Sequence, residues 1–163
     1  KERITLMFKD FQVAEAHCDI PCKIYDPAIS QVATLSVIRL IDLLHEIDES
    51  DNSLKSIAHR SRLVIEKEAQ AKIVKNEVNI IWGDYFKAPQ IEAHPNIHTL
   101  VHEIMMTASK CKQDVIRENA EELVKKVNEF GTIFWSTKGI ETENVVCPYP
   151  PELIVSRPKL DSV

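Results

Sequence analysis

Long apolar runs, glycine and aromatic residues are all scarce in this chain of 163 residues, and its 20 basic residues are fewer than its 25 acidic ones. The formal net charge of −5 argues against nucleic acid or an anionic membrane as the main partner. No run of eighteen apolar residues occurs, which predicts that no helix crosses a membrane. With three glycines and 6% aromatic residues, apolar side chains instead recur at helical spacing along most of the sequence.

The helical periodicity predicts an all-α protein. A hydrophobic content of 44% is ample for one domain with a core. Asp26 followed by Pro27 is typical of a helix start, with a capping residue and a proline in the first turn. Four amphipathic helices with short connections predict an antiparallel up-and-down four-helix bundle. The predicted helices span about 27–48, 54–81, 95–111 and 114–137.

The segment from His17 to Cys22, here called the hook, holds two thiols and an imidazole around Pro21. Cleavage between Ala16 and His17 would create an α-amine that closes a five-membered chelate ring with the Cys18 amide nitrogen. The Cys18 amide and sulfur would close a second ring, and Cys22 would add a further thiolate. Such a nitrogen and sulfur donor set suits nickel or copper better than tetrahedral zinc.

Three sequence blocks together resemble the nickel-containing superoxide dismutases. The first is the hook with its continuation to Pro27, the second is 82–89 (WGDYFKAP) and the third is 133–138 (IFWSTK). The resemblance covers roughly residues 17–138. It divides the chain into a pro-segment (1–16), a dismutase domain with an N-terminal metal hook (17–138) and a proline-rich extended C-terminal tail (139–163).

The resemblance implies a superoxide dismutase with one nickel ion per subunit, cycling between Ni(II) and Ni(III), in a homohexamer. It assigns metal binding to His17, Cys18 and Cys22. It also implies that Asp19 and Tyr25 guard the open face of the site, where Tyr25 would position superoxide or a water. Two further residues of the second block, Asp84 and Lys87, would anchor the hook; the alternative for them is an ordinary i,i+3 surface ion pair.

The segment before the hook ends in Val13-Ala14-Glu15-Ala16, a small-x-small pattern typical of a cleavage site. Residues 1–16 are charged and lack the long apolar region of a secretory signal, so we expect a pro-segment that a peptidase removes. A cytoplasmic location follows as the expectation. Because the sequence starts at Lys1 rather than Met, an upstream targeting segment is compatible with it.

The chain departs from the family pattern at three positions. Lys23 stands where glycine usually follows the second hook cysteine, which restricts the backbone and adds a positive charge. Ala33 and Gln70 stand where a glutamate and an arginine usually steady the hook imidazole. We therefore expect weaker axial ligation by His17, or ligation supported by another residue such as Glu68.

Other cysteines and histidines have simpler interpretations. Cys111 lies on a helical apolar stripe and is predicted to be buried, whereas Cys147 in the tail has no predicted role. By spacing alone, Cys18 and Cys22 could instead form a disulfide. Histidines at 94, 98 and 102 have the spacing of a helical metal site, but a solvated flank or a subunit contact is the favoured interpretation.

The tail, which holds half of the eight prolines, is predicted to be disordered or to lie across a neighbouring subunit.

Two other functions remain open at this point. The hook could serve a non-enzymatic helical protein that stores or delivers nickel or copper. A helical interaction module with a Cys18–Cys22 disulfide is the third possibility. Turnover of superoxide by the nickel-loaded 17–163 chain separates the first hypothesis from the second, and metal binding that persists in a Cys18→Ser variant would favour the third.

Overall fold

A computed structural model describes residues 23–160 of the chain. This part is mostly helical, as the apolar periodicity predicts, and it also contains two short strands. The elements in chain order are α1 (Ala28–His45), α2 (Leu54–Ile80), a π-helical turn (Ile81–Tyr85), α3 (Ala88–Ala93), α4 (Ile97–Gln113), α5 (Arg117–Ser136), β1 (Thr142–Val146) and β2 (Ile154–Pro158).

The four long helices lie where the sequence predicts them, within a few residues at each end. Ser53 begins α2 as its cap, and its hydroxyl accepts a hydrogen bond from the Ser56 amide at 3.2 Å. The connection predicted over 83–94 contains more structure than expected. The π-helical turn continues α2, and α3 begins where the Lys87 amide donates to the Gln90 side chain at 3.1 Å.

The long helices enclose one apolar core. α1 packs against α2 and α5, and α4 packs against the same two helices. The order in which the helices run up and down stays a prediction. Fully buried side chains from all four helices meet at the centre, among them Val37, Ile38, Ile41, Ala71, Val74, Val78, Ile97, Ile104, Leu123, Val127, Phe130 and Phe134.

The C-terminal segment is a β-hairpin, so the fold is mostly helical rather than all-α and residues 139–160 are folded rather than disordered. The contact of this segment with a neighbouring subunit stays a prediction. β1 pairs with β2 antiparallel, with Asn144 opposite Ser156, and β2 packs on α5 of the same chain. Val155 and Cys147 are buried in the contact. Three of the prolines lie between the strands and the fourth ends β2, so none interrupts the ladder. We name residues 139–160 the C-terminal hairpin.

Within residues 23–160, one helix, α1, is long and apolar enough to cross a membrane, judged by its length and composition alone. Its mean hydropathy is 1.3 over 18 residues. In the structure its most apolar side chains, including Val37, Ile38 and Ile41, face the core, as in the central helix of many globular domains. The expectation that no segment crosses a membrane stays a prediction.

Candidate active site

Three of the seven residues that the sequence assigns to the site are described by the structure: Tyr25, Asp84 and Lys87. The hook residues His17, Cys18, Asp19 and Cys22 lie outside the described residues. The described chain begins at Lys23, directly after the hook, so Tyr25 is the first predicted site residue whose surroundings are described.

The segment between the hook and α1 is held in a defined conformation. Lys23 has φ +70°, in the left-handed region that favours glycine. Asp26 accepts a hydrogen bond from the Ala28 amide at 2.8 Å, and Pro27 is buried at the start of α1. The predicted helix start is therefore confirmed, although Pro27 is the residue directly before α1 rather than part of its first turn. Lys23 has a backbone conformation that glycine adopts more readily than lysine does.

Tyr25 packs against the second sequence block. Its ring lies 6.0 Å from the Tyr85 ring between centroids, with the two planes inclined at 56°. The Tyr85 hydroxyl lies 2.6 Å from the Thr137 hydroxyl, and the Lys138 ammonium lies 4.8 Å from the centre of the Tyr85 ring. Residues from all three sequence blocks thus meet at Tyr85.

Sequence reasoning did not single out Tyr85, Thr137 or Lys138 as functional residues. The sequence pointed to these residues only in that Tyr85 lies in the second block and Thr137 and Lys138 lie in the third. Tyr85 lies at the end of the π-helical turn, which shifts the helical phase after α2 and lets Tyr85 and Phe86 both reach Phe130 or Phe134. That phase shift has no local sequence signature.

Asp84 and Lys87 do not form the i,i+3 ion pair that was the alternative to an anchoring role. Within residues 23–160, Lys87 instead donates from Nζ to the Gly83 carbonyl at 3.0 Å. Asp84 is half-buried in the π-helical turn next to Tyr85. The two side chains therefore belong to the same turn as the tyrosine that Tyr25 contacts.

Two of the three positions that depart from the family pattern, Ala33 and Gln70, lie together. Ala33 and Gln70 line an apolar groove of about 340 Å³ with Ile29, Val32 and Ile73. The Gln70 amide donates to the Glu66 carboxylate at 2.7 Å, on the outer side of α2. Glu68, considered as a replacement partner for His17, lines a separate groove with Lys75 and Ser109 on the α4 side. It is therefore not a neighbour of Ala33 and Gln70.

The regularly spaced histidines make other contacts. Trp82 donates from Nε1 to His98 Nδ1 at 3.0 Å, and His94 Nε2 lies 3.2 Å from the Ser136 hydroxyl. Among residues 23–160 no three His, Cys, Asp or Glu side chains are grouped so that they could hold a metal ion. The interpretation of these histidines as a solvated flank or a subunit contact stays a prediction.

The two cysteines outside the hook are both buried and not bonded to each other. The predicted burial of Cys111 is confirmed, and burial raises the pKa of its thiol to about 11. A thiol with so high a pKa is a poor nucleophile and a poor ligand at neutral pH. On this argument Cys111 is a structural residue rather than a metal ligand.

Comparisons with known proteins agree with this geometry. A family model described as nickel-containing superoxide dismutase matches residues 12–138. The nickel superoxide dismutase of Streptomyces seoulensis is 31% identical over 123 residues, covering 76% of this chain and 88% of the relative. The corresponding protein of Streptomyces coelicolor is 28% identical over 135 residues, covering 83% of this chain and 98% of the relative.

Solved structures give the same result. A crystal structure of a Ni-containing superoxide dismutase, with nickel ligation corresponding to the state after partial X-ray-induced reduction, superposes with a TM-score of 0.66 at 30% identity. It covers 76% of this chain and 99% of its own, and the C-terminal hairpin lies beyond the family match. The chain therefore belongs to the nickel-containing superoxide dismutase family and is an oxidoreductase that uses nickel and acts on superoxide.

Proposed function

We propose that this chain disproportionates superoxide to oxygen and hydrogen peroxide after cleavage before His17 has converted the hook into the nickel site. The nickel ligands would be the new α-amine and imidazole of His17, the amide nitrogen and sulfur of Cys18 and the sulfur of Cys22. This donor set fits nickel because thiolates and a deprotonated amide stabilise its higher oxidation state. When nickel is bound, it supplies one-electron chemistry between the Ni(II) and Ni(III) states.

The observation that carries the proposal is the contact between Tyr25 and Tyr85. It brings the segment directly after the hook against the π-helical turn that holds Asp84 and Lys87. Tyr25 is three residues beyond Cys22, so its hydroxyl is within reach of the open face of a metal bound there. In the proposal this hydroxyl orients superoxide or a water, and Asp19 helps to close the site.

Lysines around this turn supply the attraction for an anionic substrate. Lys23, Lys87 and Lys138 are exposed, and Lys138 stands over the Tyr85 ring. Lys87 belongs to the π-helical turn and Lys138 contacts its Tyr85, so both charges lie beside the residue that Tyr25 contacts, although the whole chain is negative. Local charge of this kind raises the encounter rate with superoxide. Asp84 and Lys87 act as anchors for the hook.

Assembly and maturation belong to the same proposal. The family resemblance implies removal of residues 1–16 by a peptidase and a homohexamer. An antiparallel four-helix bundle and a cytoplasmic location remain the expectations from the helical periodicity and from the lack of a secretory signal in residues 1–16. Exposed apolar side chains on the outer face of α1, including Ile29 and Val32, support subunit packing there. Light scattering on the processed protein tests the assembly, and a monomer would contradict it.

Electron paramagnetic resonance of the nickel-loaded 17–163 chain tests the metal site. We expect one nickel per chain and a rhombic low-spin Ni(III) signal with splitting from one axial nitrogen. The full 1–163 chain, treated in the same way, should lack this signal because its His17 nitrogen is an amide. A processed chain that binds nickel without the signal would favour metal storage or delivery over catalysis.

A further inference from the structure

The C-terminal hairpin is attached to the first turns of α1, a few residues after the hook. The family match ends at Lys138, so the hairpin is an addition to the part of the chain shared with the matched relatives. It packs on α5, and its strand β2 also reaches the N-terminal end of α1. The hydrogen bond to α1 is made by one buried side chain, Gln31.

Gln31 uses its side-chain amide to join α1 to both neighbours. Nε2 donates to the Ser156 carbonyl on β2 at 2.7 Å and to Asn128 Oδ1 on α5 at 3.2 Å. Asn128 completes the network, because its Nδ2 donates to the Ile154 carbonyl at 2.9 Å and its Oδ1 accepts from the Ser156 amide at 3.1 Å. Within the described part of the chain, no other hydrogen bond joins α1 to the hairpin.

Packing between α1 and β2 is incomplete around this bond. A cavity of about 250 Å³ lies between them, lined by residues that include Asp26, Leu35 and Arg157. The buried hydrogen bonds of Gln31 are therefore not backed by continuous apolar contact. Leaving the Ser156 carbonyl without its donor would carry the full cost of a buried unpaired acceptor.

α5 holds the same turn of α1 from the other side. A Cβ atom at Gly131 would lie 3.3 Å from Gln31 Nε2 and 3.5 Å from Pro27 Cβ. Glycine in a helix interior is unfavourable by about 1 kcal/mol relative to alanine, so its presence here is explained by this close approach. Pro27 and Gln31 are thus fixed between Gly131 of α5 and Ser156 of the hairpin.

We propose that the C-terminal hairpin, acting through Gln31, is a positioning element for the hook. Four residues, 23–26, join the hook to Pro27, and a fully extended chain over these five steps spans at most about 18 Å, at about 3.6 Å per residue. Tyr25 lies inside this tether. The hairpin restrains residues 23–27 and thereby the position of the hook and of Tyr25. This inference rests on the proposed function, since it takes the hook as the nickel site.

A matched pair of variants separates positioning from simple stabilisation. Gln31→Met keeps the side-chain length and removes the link from the hairpin to α1. Thr132→Val removes the 2.8 Å contact between the Thr132 and Ser156 hydroxyls, which links the same strand to α5 alone. Gln31→Ala serves as a second variant in case methionine does not fit. Each is made in the full chain and in its 17–163 form.

Hydrogen exchange measured by mass spectrometry, without nickel, gives the first readout. We expect Gln31→Met to speed exchange of peptides covering residues 23–31 by about tenfold. Thr132→Val should leave these peptides unchanged, and peptides from α4 should exchange at the wild-type rate in both variants. Equal exchange of residues 23–31 in the wild type and Gln31→Met would overturn the proposal. So would a faster rate that extends equally to α4, because that pattern is global destabilisation.

Release of nickel from the 17–163 chain to a chelator gives the second readout. Gln31→Met should release nickel several-fold faster than the wild type, and Thr132→Val at the wild-type rate. If the wild type holds nickel and Gln31→Met releases it no faster, the positioning role is wrong and the proposed function stands. If the processed wild type holds no nickel at all, the proposed function itself is wrong.

Discussion

Tyr25 and Tyr85 pack against each other with their ring centroids 6.0 Å apart, although sixty residues separate them in the chain. Tyr25 follows the hook, and Tyr85 ends the π-helical turn that holds Asp84. Tyr85 in turn contacts Phe134 and Thr137 at the end of α5. Through these contacts of Tyr85, residues from three sequence blocks that are far apart in the chain form one region of the structure.

Tyr25→Phe should lower superoxide turnover and leave stability almost unchanged. The ring contact with Tyr85 is kept, and only the hydroxyl is lost. A hydrogen bond worth about 1 kcal/mol to the substrate or its water corresponds to a rate loss of about fivefold. Pulse radiolysis of the nickel-loaded variants measures the rate. Tyr85→Phe is the comparison: it removes the hydroxyl that contacts Thr137, so it should lower the free energy of unfolding by about 1 kcal/mol.

Lys23→Gly should raise the free energy of unfolding. Lys23 has φ +70°, and a side chain in the left-handed region is unfavourable by about 1 kcal/mol, partly offset by the greater flexibility of glycine in the unfolded chain. A gain of about 0.5 kcal/mol is expected in urea unfolding. Lys23→Ala removes the same charge but keeps the Cβ atom, so it should show no gain. If Lys23→Ala raised the free energy of unfolding as much as Lys23→Gly does, loss of the positive charge and not relief of backbone strain would explain the increase.

Gly131→Ala should destabilise the protein even though alanine is the better helix former. Its Cβ atom would crowd Gln31 Nε2 and Pro27, and overpacking of this kind costs about 1–3 kcal/mol. Gly83→Ala is the control, because nothing lies within 4 Å of a Cβ atom there. Thermal unfolding of both variants measures whether each is more or less stable than the wild type. A stabilised Gly131→Ala variant would show that α1 and α5 are not closely packed at this point.

Lys67→Met should cost about 2–4 kcal/mol of stability. Lys67 is 1% exposed, and its ammonium donates to the carbonyls of Lys112 and Asp114 at 2.9 and 2.8 Å and also to that of Cys111. The charge therefore caps the C-terminus of α4, although desolvation lowers the pKa of Lys67. Lys75→Met, which removes only a 3.1 Å contact with the Ser109 hydroxyl, should cost less than 1 kcal/mol in the same urea titration.

Cys111 should make the folded protein less stable as the solution becomes alkaline. Burial raises the pKa of its thiol from 9.0 to about 11, so the unfolded chain loses this proton first. Above pH 9 the folded state binds more protons than the unfolded state, and the free energy of unfolding falls toward pH 11. In Cys111→Ala the fall over this range should be smaller. Identical slopes for the wild type and the variant would contradict the raised pKa.

The helices could be predicted from the sequence because their apolar stripes and the Asp26–Pro27 start are local signals. The hairpin could not be predicted, because its strands are short and its stability depends on Gln31 and Asn128 in distant helices. At the site, the roles of Tyr25, Asp84 and Lys87 followed from resemblance alone. Tyr85 was missed because the π-helical turn sets its direction, and the periodicity of α2 gives no sign of that turn.

Catalysed decay of superoxide by the 17–163 chain, compared with the full 1–163 chain after identical nickel loading, tests the central claim most directly. The account predicts that only the chain beginning at His17 removes superoxide catalytically, and that a Cys18→Ser variant of it does not. Equal rapid decay with both chain lengths, or no catalysis by the nickel-treated shorter chain, would contradict it.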